Sequence, residues 1–347
     1  MLAGAGLRRY VLPDGENNHM RIIVYGVGAI GGAIAARLAL TGTEVAGIAR
    51  GRMLEAIRQN GGLTLVTAEG TDKVDVPCVG DPSDLNVRAD DVVIMAMKSQ
   101  DMRDALRHLR AAGYDRQPVV CAQNGVDNER EALRLFPNVY GMTVMVPAQY
   151  TEPGVVVANG VPKFGLFDLG CYPTGTDAAT EEIAVALNAA GFHCMPDPDV
   201  MRSKYAKLLQ NIGNIIGASL GAAARRGPWY DAARKEADAA YAAAGIVPAN
   251  RDPDSPRRSQ MKPVDLPGNP RIGSSTQQSL MRGSGSVETD FLNGEIALLG
   301  RLYGVPTPVN AAFCRVAERM VREGIATGAF PEEDLAAMVA AEKPAAG

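Results

Sequence analysis

The sequence predicts an α/β protein: a Rossmann-type, doubly wound parallel sheet in the N-terminal half and an all-helical C-terminal domain. Three observations predict it. A short apolar run with Ile and Val, Arg21–Tyr25, leads into glycines spaced G-x-G-x-x-G at Gly26, Gly28 and Gly31. Strand-like and helix-like segments then alternate to residue 197, the pattern of a mostly parallel sheet covered by helices. Beyond 198 the strand signal stops and a helical period takes over. The expected organisation is an extension over 1–19 with Met20 as the functional start, a nucleotide-binding domain over 20–197, a helical domain over 198–335 and a tail over 336–347.

The glycine segment carries the most information. Gly26 permits a tight turn after the first strand. Gly28 lacks a Cβ, so a pyrophosphate can approach the backbone, and Gly31 lets the following helix pack close to the strand. Val27, Ala29 and Ile30 complete the loop and the first helical turn, whose free N–H groups and positive dipole end suit phosphates. The second strand, 43–49, ends at Arg50-Gly51-Arg52. NAD-binding versions place an Asp or Glu about 20 residues downstream to hold the ribose 2′-OH. No acid occupies the strand end from Ala46 to Met53. Arg50 offers a planar fork of donors to a 2′-phosphate, so the expected cofactor is NADP(H).

Further strands are expected over Leu63–Thr67, 74–79, 91–97, 118–122, 139–146, Val155–Ala158 and 164–167, with helices over 101–112, 128–135 and 176–190. The second half opens with a helix over 200–218 carrying Leu208, Leu209, Ile212, Ile215 and Ile216, then one over 230–244. Six prolines make 248–274 an irregular connection, and a loop of that length is usually functional. Helices follow over Ser275–Met281 and 287–303. Thr307-Pro308 then supplies an N-cap and a first-turn proline for a last long helix to residue 323.

Composition narrows the function. A net charge of −4 gives no electrostatic case for binding nucleic acid or a membrane surface, and no apolar run has transmembrane length. The five cysteines are scattered without C-x-x-C, which argues against disulfide or zinc frameworks and fits a reducing cytoplasmic location. The three histidines have no metal-ligand spacing, so no metal is expected.

Ligands of an open α/β sheet meet the carboxyl ends of its strands. Lys98 and Asn124-Gly125 fall at two such ends. In the helical half, Lys207, Asn211 and Asn214 are spaced i, i+4 and i+7, a polar stripe on one face of an otherwise apolar helix. Glu288 opens another apolar helix. Lys98 and Asn124 lie in one domain and Lys207, Asn211, Ser275 and Glu288 in the other, so they meet one ligand only across an interdomain cleft. The proline-rich connection runs into Ser274-Ser275 and is expected to help close it.

These motifs resemble the ketopantoate reductase (2-dehydropantoate 2-reductase) family over roughly residues 20–325. The glycine turn, Arg50, Lys98, Asn124-Gly125, Lys207-Leu208-Leu209-Gln210-Asn211, Ser274-Ser275, Arg282-Gly283, Glu288 with Asn293-Gly294, and Gly304 to Asn310 each match a family motif. The resemblance implies NADPH-dependent reduction of a 2-oxo acid, first of all ketopantoate to pantoate in pantothenate biosynthesis. Lys207 is the implied proton donor and Glu288 orients it or the substrate hydroxyl. Asn211, Asn214 and Ser275 hold hydroxyl and carboxylate groups, while Lys98 and Asn124 line the junction with the cofactor. A homodimer through the helical domain is a further expectation. The chain departs from the family in four ways. The second helix asparagine stands one residue early, at Asn214. No asparagine occurs over 221–225. The serine-to-glutamate spacing is longer by one, and 248–274 is expanded. The alternatives are a same-fold reductase of another 2-oxo acid or of an imine, and a non-catalytic NADP(H)-sensing protein. A sensor has no use for Lys207 with Glu288, so their presence favours the enzyme.

Overall fold

The computed structural model describes residues 20–150, 152–250 and 255–342; the expected N-terminal extension and the last residues of the expected tail lie outside them. The first unit begins β1 (Arg21–Tyr25), α1 (Ala29–Leu40), β2 (Val45–Ile48), α2 (Gly51–Asn60), β3 (Leu63–Thr67), β4 (Gly70–Val74) and β5 (Cys78–Val79). It continues through β6 (Asp91–Met95), α3 (Met102–Ala111), β7 (Val119–Cys121), α4 (Asn128–Leu133) and β8 (Val139–Met145). Three short strands follow, β9 (Ala148–Gln149), β10 (Val155–Ala158) and β11 (Gly160–Pro162), then β12 (Leu166–Cys171), α5 (Ala178–Ala189) and β13 (His193–Pro196).

Eight strands form one sheet in the order β13-β12-β8-β7-β6-β1-β2-β5. The run from β5 to β8 is parallel, and β12 turns antiparallel against β8. The order reverses at β1, whose Ile22 pairs with Val45 of β2 on one side and Val92 of β6 on the other. Such a switch point opens a crevice at the carboxyl ends of the strands. Ile22, Ile23 and Val24 are all fully buried, as expected of a strand covered on both faces. A second sheet, β4-β3-β10-β9, packs beside α1.

The helical unit comprises α6 (Val200–Asn211), α7 (Gly213–Leu220) and α8 (Pro228–Ala243). After the strand β14 (Met261–Pro263) come α9 (Ser275–Met281), α10 (Asn293–Tyr303), α11 (Pro308–Glu323) and α12 (Glu332–Ala341). Its core gathers Leu208, Ile212, Ile216, Tyr241, Ile296, Phe313 and Leu335. Among the described residues, no helix is long and apolar enough to cross a membrane.

Several expectations are corrected. The strand expected over 74–79 is the end of β4 and all of β5, which belong to different sheets, with Pro77 in the crossing between them. The strand expected over 164–167 is β12, later and longer. The C-terminal half is not wholly helical, since β14 in the proline-rich connection pairs with β11 of the first unit. The boundary expected at 335 falls inside α12, which is held by the fully buried Leu335. Thr307 takes the N-cap position of α11 but makes no side-chain cap bond. The Glu236 carboxylate of α8 instead accepts the N–H groups of Val309 and Asn310 at 2.8 and 3.0 Å, filling orphan donors of the first turn.

The helix expected over 200–218 breaks at Ile212 into α6 and α7. A broken helix leaves carbonyls without partners. The buried Asn293 amide donates to Ile212 O at 3.2 Å and to Asn310 Oδ1 at 3.1 Å, and Asn310 donates to Ala233 O and Glu236. Two asparagines that belong to the sequence motifs therefore satisfy a carbonyl at the break.

Candidate active site

The site is built from the turn after β1 outward. Gly26 has φ +101°, and a Cβ there would fall 2.5 Å from Met97 N. A Cβ on Gly31 would fall 2.1 Å from Gly26 O, whereas one on Gly28 would meet nothing within 4 Å. The outer glycines are thus required by packing, and Gly28 faces open space at the N-terminus of α1. Val27 is buried beneath the turn, and Ala29 and Ile30 form the first helical turn. Arg50, two residues past β2 at the N-cap of α2, projects outward, 79% exposed, with Nη2 2.8 Å from Asp101 Oδ2.

The next strand ends supply the cleft. Lys98, after β6, donates to Ser286 O at 3.3 Å. Burial holds its ammonium below the ordinary lysine value, and the nearby Glu288 opposes that shift. Ser99 donates to Glu288 Oε1 through its N–H at 3.1 Å and through its hydroxyl at 3.4 Å, while Asn128 donates to Ser99 Oγ. The Glu288 carboxyl is packed deep among protein atoms although the residue keeps some exposure. Burial raises its pKa, and Ser99, Lys98 and Lys207 oppose the rise. After β7, Asn124 Oδ1 accepts from Lys207 Nζ at 2.9 Å, and Asn211 Oδ1 lies 3.5 Å from the same nitrogen. Gly125 has φ +86°, and a Cβ there would sit 2.8 Å from Phe291 O. The Asn-Gly pair therefore does two jobs: its amide receives the lysine, and its glycine lets the Glu288 segment close over the strand end. Asn124, Gly125, Thr143, Val144, Lys204 and Lys207 line a narrow pocket here.

Most of the expected residues converge, with two corrections. Asn214 lies beyond the break at Ile212 and bonds to other partners than Lys207. Its Oδ1 accepts from Arg225 Nη2 at 2.8 Å and its backbone O from Ser274 Oγ at 3.3 Å. Ser275 is exposed on the first turn of α9. Ser274, which also caps α9 by accepting from Gln277 N, is the serine that faces Asn214. The connection 255–273 is laced onto the first unit. Arg257 pairs with Asp168 and donates to Phe167 O at 2.6 Å, Asn159 exchanges two bonds with Val264, and Gln149 holds Pro270 and Ile272.

Sequence reasoning missed Ser99, Asn128 and a buried ion pair between Lys204 and Glu129. Lys204 Nζ also donates to Cys121 O and Gln123 O at 3.4 and 3.1 Å, tying α6 to the loop that carries Asn124. Glu129 lies 75 residues from Lys204, so no local spacing announces the pair. A larger cavity of about 320 Å³, between 279–287 and 320–327, has no ionisable side chain in its lining and offers no comparable chemistry.

Fold and cleft together define a two-part nucleotide-binding α/β protein whose helical half brings a lysine and a glutamate to the switch point of the sheet. Residues 22–173 match the profile of Ketopantoate reductase PanE/ApbA, and 199–321 match that of its C-terminal region. The chain belongs to the ketopantoate reductase family, as its motifs implied. It is 27% identical to 2-dehydropantoate 2-reductase of Archaeoglobus fulgidus over 295 residues, covering 84% of this chain and 94% of that one. It is 32% identical to the Pyrococcus horikoshii enzyme of that name over 202 residues, 58% of this chain, and there spans only 64% of the relative's length. The crystal structure of a PanE/ApbA family ketopantoate reductase from Ralstonia eutropha superposes with a TM-score of 0.73 at 27% identity, covering 88% of this chain and 99% of that one. D-mandelate dehydrogenase with NADH and anilino(oxo)acetate gives 0.73 at 20% identity over the same shares, a likeness of fold alone.

Proposed function

We propose that the protein is an NADPH-dependent reductase of 2-oxo acids. One observation carries the reading: Lys207, from the helical half, reaches the carboxyl end of β7 and is held at 2.9 Å by Asn124. The open face of Gly28 and the exposed Arg50 fit a dinucleotide bearing a 2′-phosphate. A bound nicotinamide supplies the hydride. Lys207 then gives a proton to the carbonyl oxygen as it becomes a hydroxyl, and its charge stabilises the developing oxyanion. Asn124 and Asn211 aim the ammonium. Glu288 places a carboxylate within the field of Lys98 and Lys207. Five cysteines scattered without C-x-x-C fit a reducing cytoplasm. Exposed Leu298 and Leu302, one turn apart on α10, support a homodimer through the helical half.

The names of the relatives make ketopantoate the first substrate to try. A second reading, another 2-oxo acid, is favoured by Arg225 standing beside Asn214. NADPH absorbance followed against a panel of 2-oxo acids including ketopantoate should show turnover. Lys207→Ala should lower kcat about 10²–10⁴-fold, the usual share of proton transfer, while NADPH affinity holds. A near-normal kcat in the variant rejects Lys207 as the donor. NADPH binding with no turnover on any acid selects the sensor instead.

A further inference from the structure

Arg225 follows α7, and the sequence around it prepares a seat. Gly213 and Gly217, one helical turn apart, leave a groove in α7. A Cβ on Gly213 would lie 3.4 Å from Arg225 Cγ, and one on Gly217 would lie 3.0 Å from Arg225 Cβ. The aliphatic stem fills that groove, and Nη2 is fixed at 2.8 Å on Asn214 Oδ1. One donor of a five-donor fork is thereby used to orient the rest.

The charge itself is left without an answer. No carboxylate among the described residues forms an ion pair with Arg225, and the charged groups acting on it include two further cations, Arg226 and Arg271. Arg225 is exposed, yet its guanidinium base is partly packed among protein atoms; that packing, and then Arg226 and Arg271, hold its pKa below the ordinary guanidinium value. An oriented guanidinium in a cationic field, with no protein acid, is a site arranged for an anion.

Its place in the cleft is traced by bonded neighbours. Val144 of β8 lines the Lys207 pocket, and the same chain reaches Gln149 five residues on. Gln149 accepts from Ile272 N, two residues before Ser274, which donates to Asn214, which holds Arg225. These bonds link the chain that lines the Lys207 pocket, through residues 272–274, to the asparagine that holds Arg225. Seven residues separate Lys207 from Asn214, roughly 10 Å at about 1.5 Å per helical residue. A carboxylate joined to the reacting carbonyl stays beside Lys207. The group that meets Arg225 belongs to the far end of the substrate's side chain.

We infer that Arg225, seated against Gly213 and Gly217 and aimed by Asn214, binds a second anionic group of the substrate, so that this enzyme selects 2-oxo dicarboxylic acids over uncharged or hydroxylated 2-oxo monoacids. The inference rests on the reductase reading and narrows it. The test compares 2-oxoglutarate with 2-oxopentanoate, equal in carbon number, by kcat/KM with NADPH. Binding of both to the NADP⁺-loaded protein is measured by calorimetry. The dicarboxylate should be preferred about 10- to 150-fold, the share of a charge-assisted hydrogen-bonded pair, mainly through KM. Arg225→Gln should collapse that ratio towards one and Arg225→Lys should keep part of it, with NADPH affinity reporting that each variant is folded. A parent that prefers 2-oxopentanoate or ketopantoate overturns the inference, as does a ratio unchanged in Arg225→Gln. If neither acid is reduced but calorimetry still shows an Arg225-dependent preference for the dicarboxylate, the anion site stands and the reductase reading falls.

Discussion

The two walls of the cleft are fixed by different means. The N-terminal wall is held by backbone. Gly26 and Gly125 adopt positive φ, the strand ends place Lys98 and Asn124, and Ser99 reaches Glu288 through its main-chain N–H. The helical wall is held by side-chain amides and acids. Asn293 satisfies the carbonyl at the break, Asn310 holds Asn293, Glu236 caps α11, and Asn214 aims Arg225. A backbone device depends on a few glycines at fixed local spacing. An amide network depends on partners far apart in the chain, such as Asn293 and Ile212, 81 residues from one another. The first wall is set mainly by its glycines and strand ends, and the second by each amide.

The largest effect tests that dependence. Asn293→Leu removes the donor to both Ile212 O and Asn310 Oδ1 in a fully buried setting. A buried polar group left unsatisfied costs about 1–3 kcal/mol, so two should destabilise the protein by roughly 2–4 kcal/mol in urea unfolding. The junction of α6 and α7 should loosen with it, lowering 2-oxo acid turnover more than NADPH affinity. A variant as stable as the parent would show that the break is held by packing instead, and the contrast between the walls would disappear.

A somewhat smaller effect probes the first wall at its one exposed side-chain reader. Arg50→Ala should weaken NADPH binding roughly 10- to 150-fold, the share of about 1.5–3 kcal/mol that a charged hydrogen-bonded pair supplies. NADH binding should hold. Stability should barely move, because an ion pair as exposed as Arg50 with Asp101 contributes about 0–1 kcal/mol. Equal losses for the two cofactors in parallel titrations would reject Arg50 as the phosphate reader.

The same division explains what the sequence made legible. The glycine turn, β1, β6, β10 and the convergence of Lys98, Asn124, Lys207 and Glu288 could be read because local spacing encodes each piece. The break at Ile212 could not, because nothing between Leu208 and Ile216 is a helix breaker except Gly213, and the compensating amide lies in α10. Asn214 lies beyond that break, and Ser274 rather than Ser275 faces it because Ser274 is the N-cap of α9. The strand in the proline-rich connection was equally hidden. Met261–Pro263 has no strand signal of its own and is ordered by pairing with Gly160–Pro162 and by Arg257 on Asp168. The Lys204–Glu129 pair was invisible for a different reason: each residue reads as a solvated charge on its own helix, and only their burial together reveals the tie.

The smallest effect lies where the two walls meet. Glu295 of α10 is pushed up to about 7, chiefly by burial and then by Asp127 of the first unit, with Arg130 opposing. Its ordinary value is 4.5. A carboxyl whose folded pKa is raised binds its proton more tightly in the folded state. Its contribution to stability is therefore complete below about pH 4.5 and is lost as pH climbs through 7. Above that, a carboxylate partly removed from water stands near Asp127 and loosens the join between the halves. Glu295→Gln keeps the shape and removes the titration. The variant should match the parent near pH 5 and exceed it by roughly 1–2 kcal/mol at pH 8, the partial exposure of the residue reducing the full linkage value. Urea unfolding at the two pH values measures the difference. Parallel stability profiles from pH 5 to 8 would mean that Glu295 escapes to solvent, and that the boundary between the backbone-fixed and amide-fixed walls is wetter than its packing indicates.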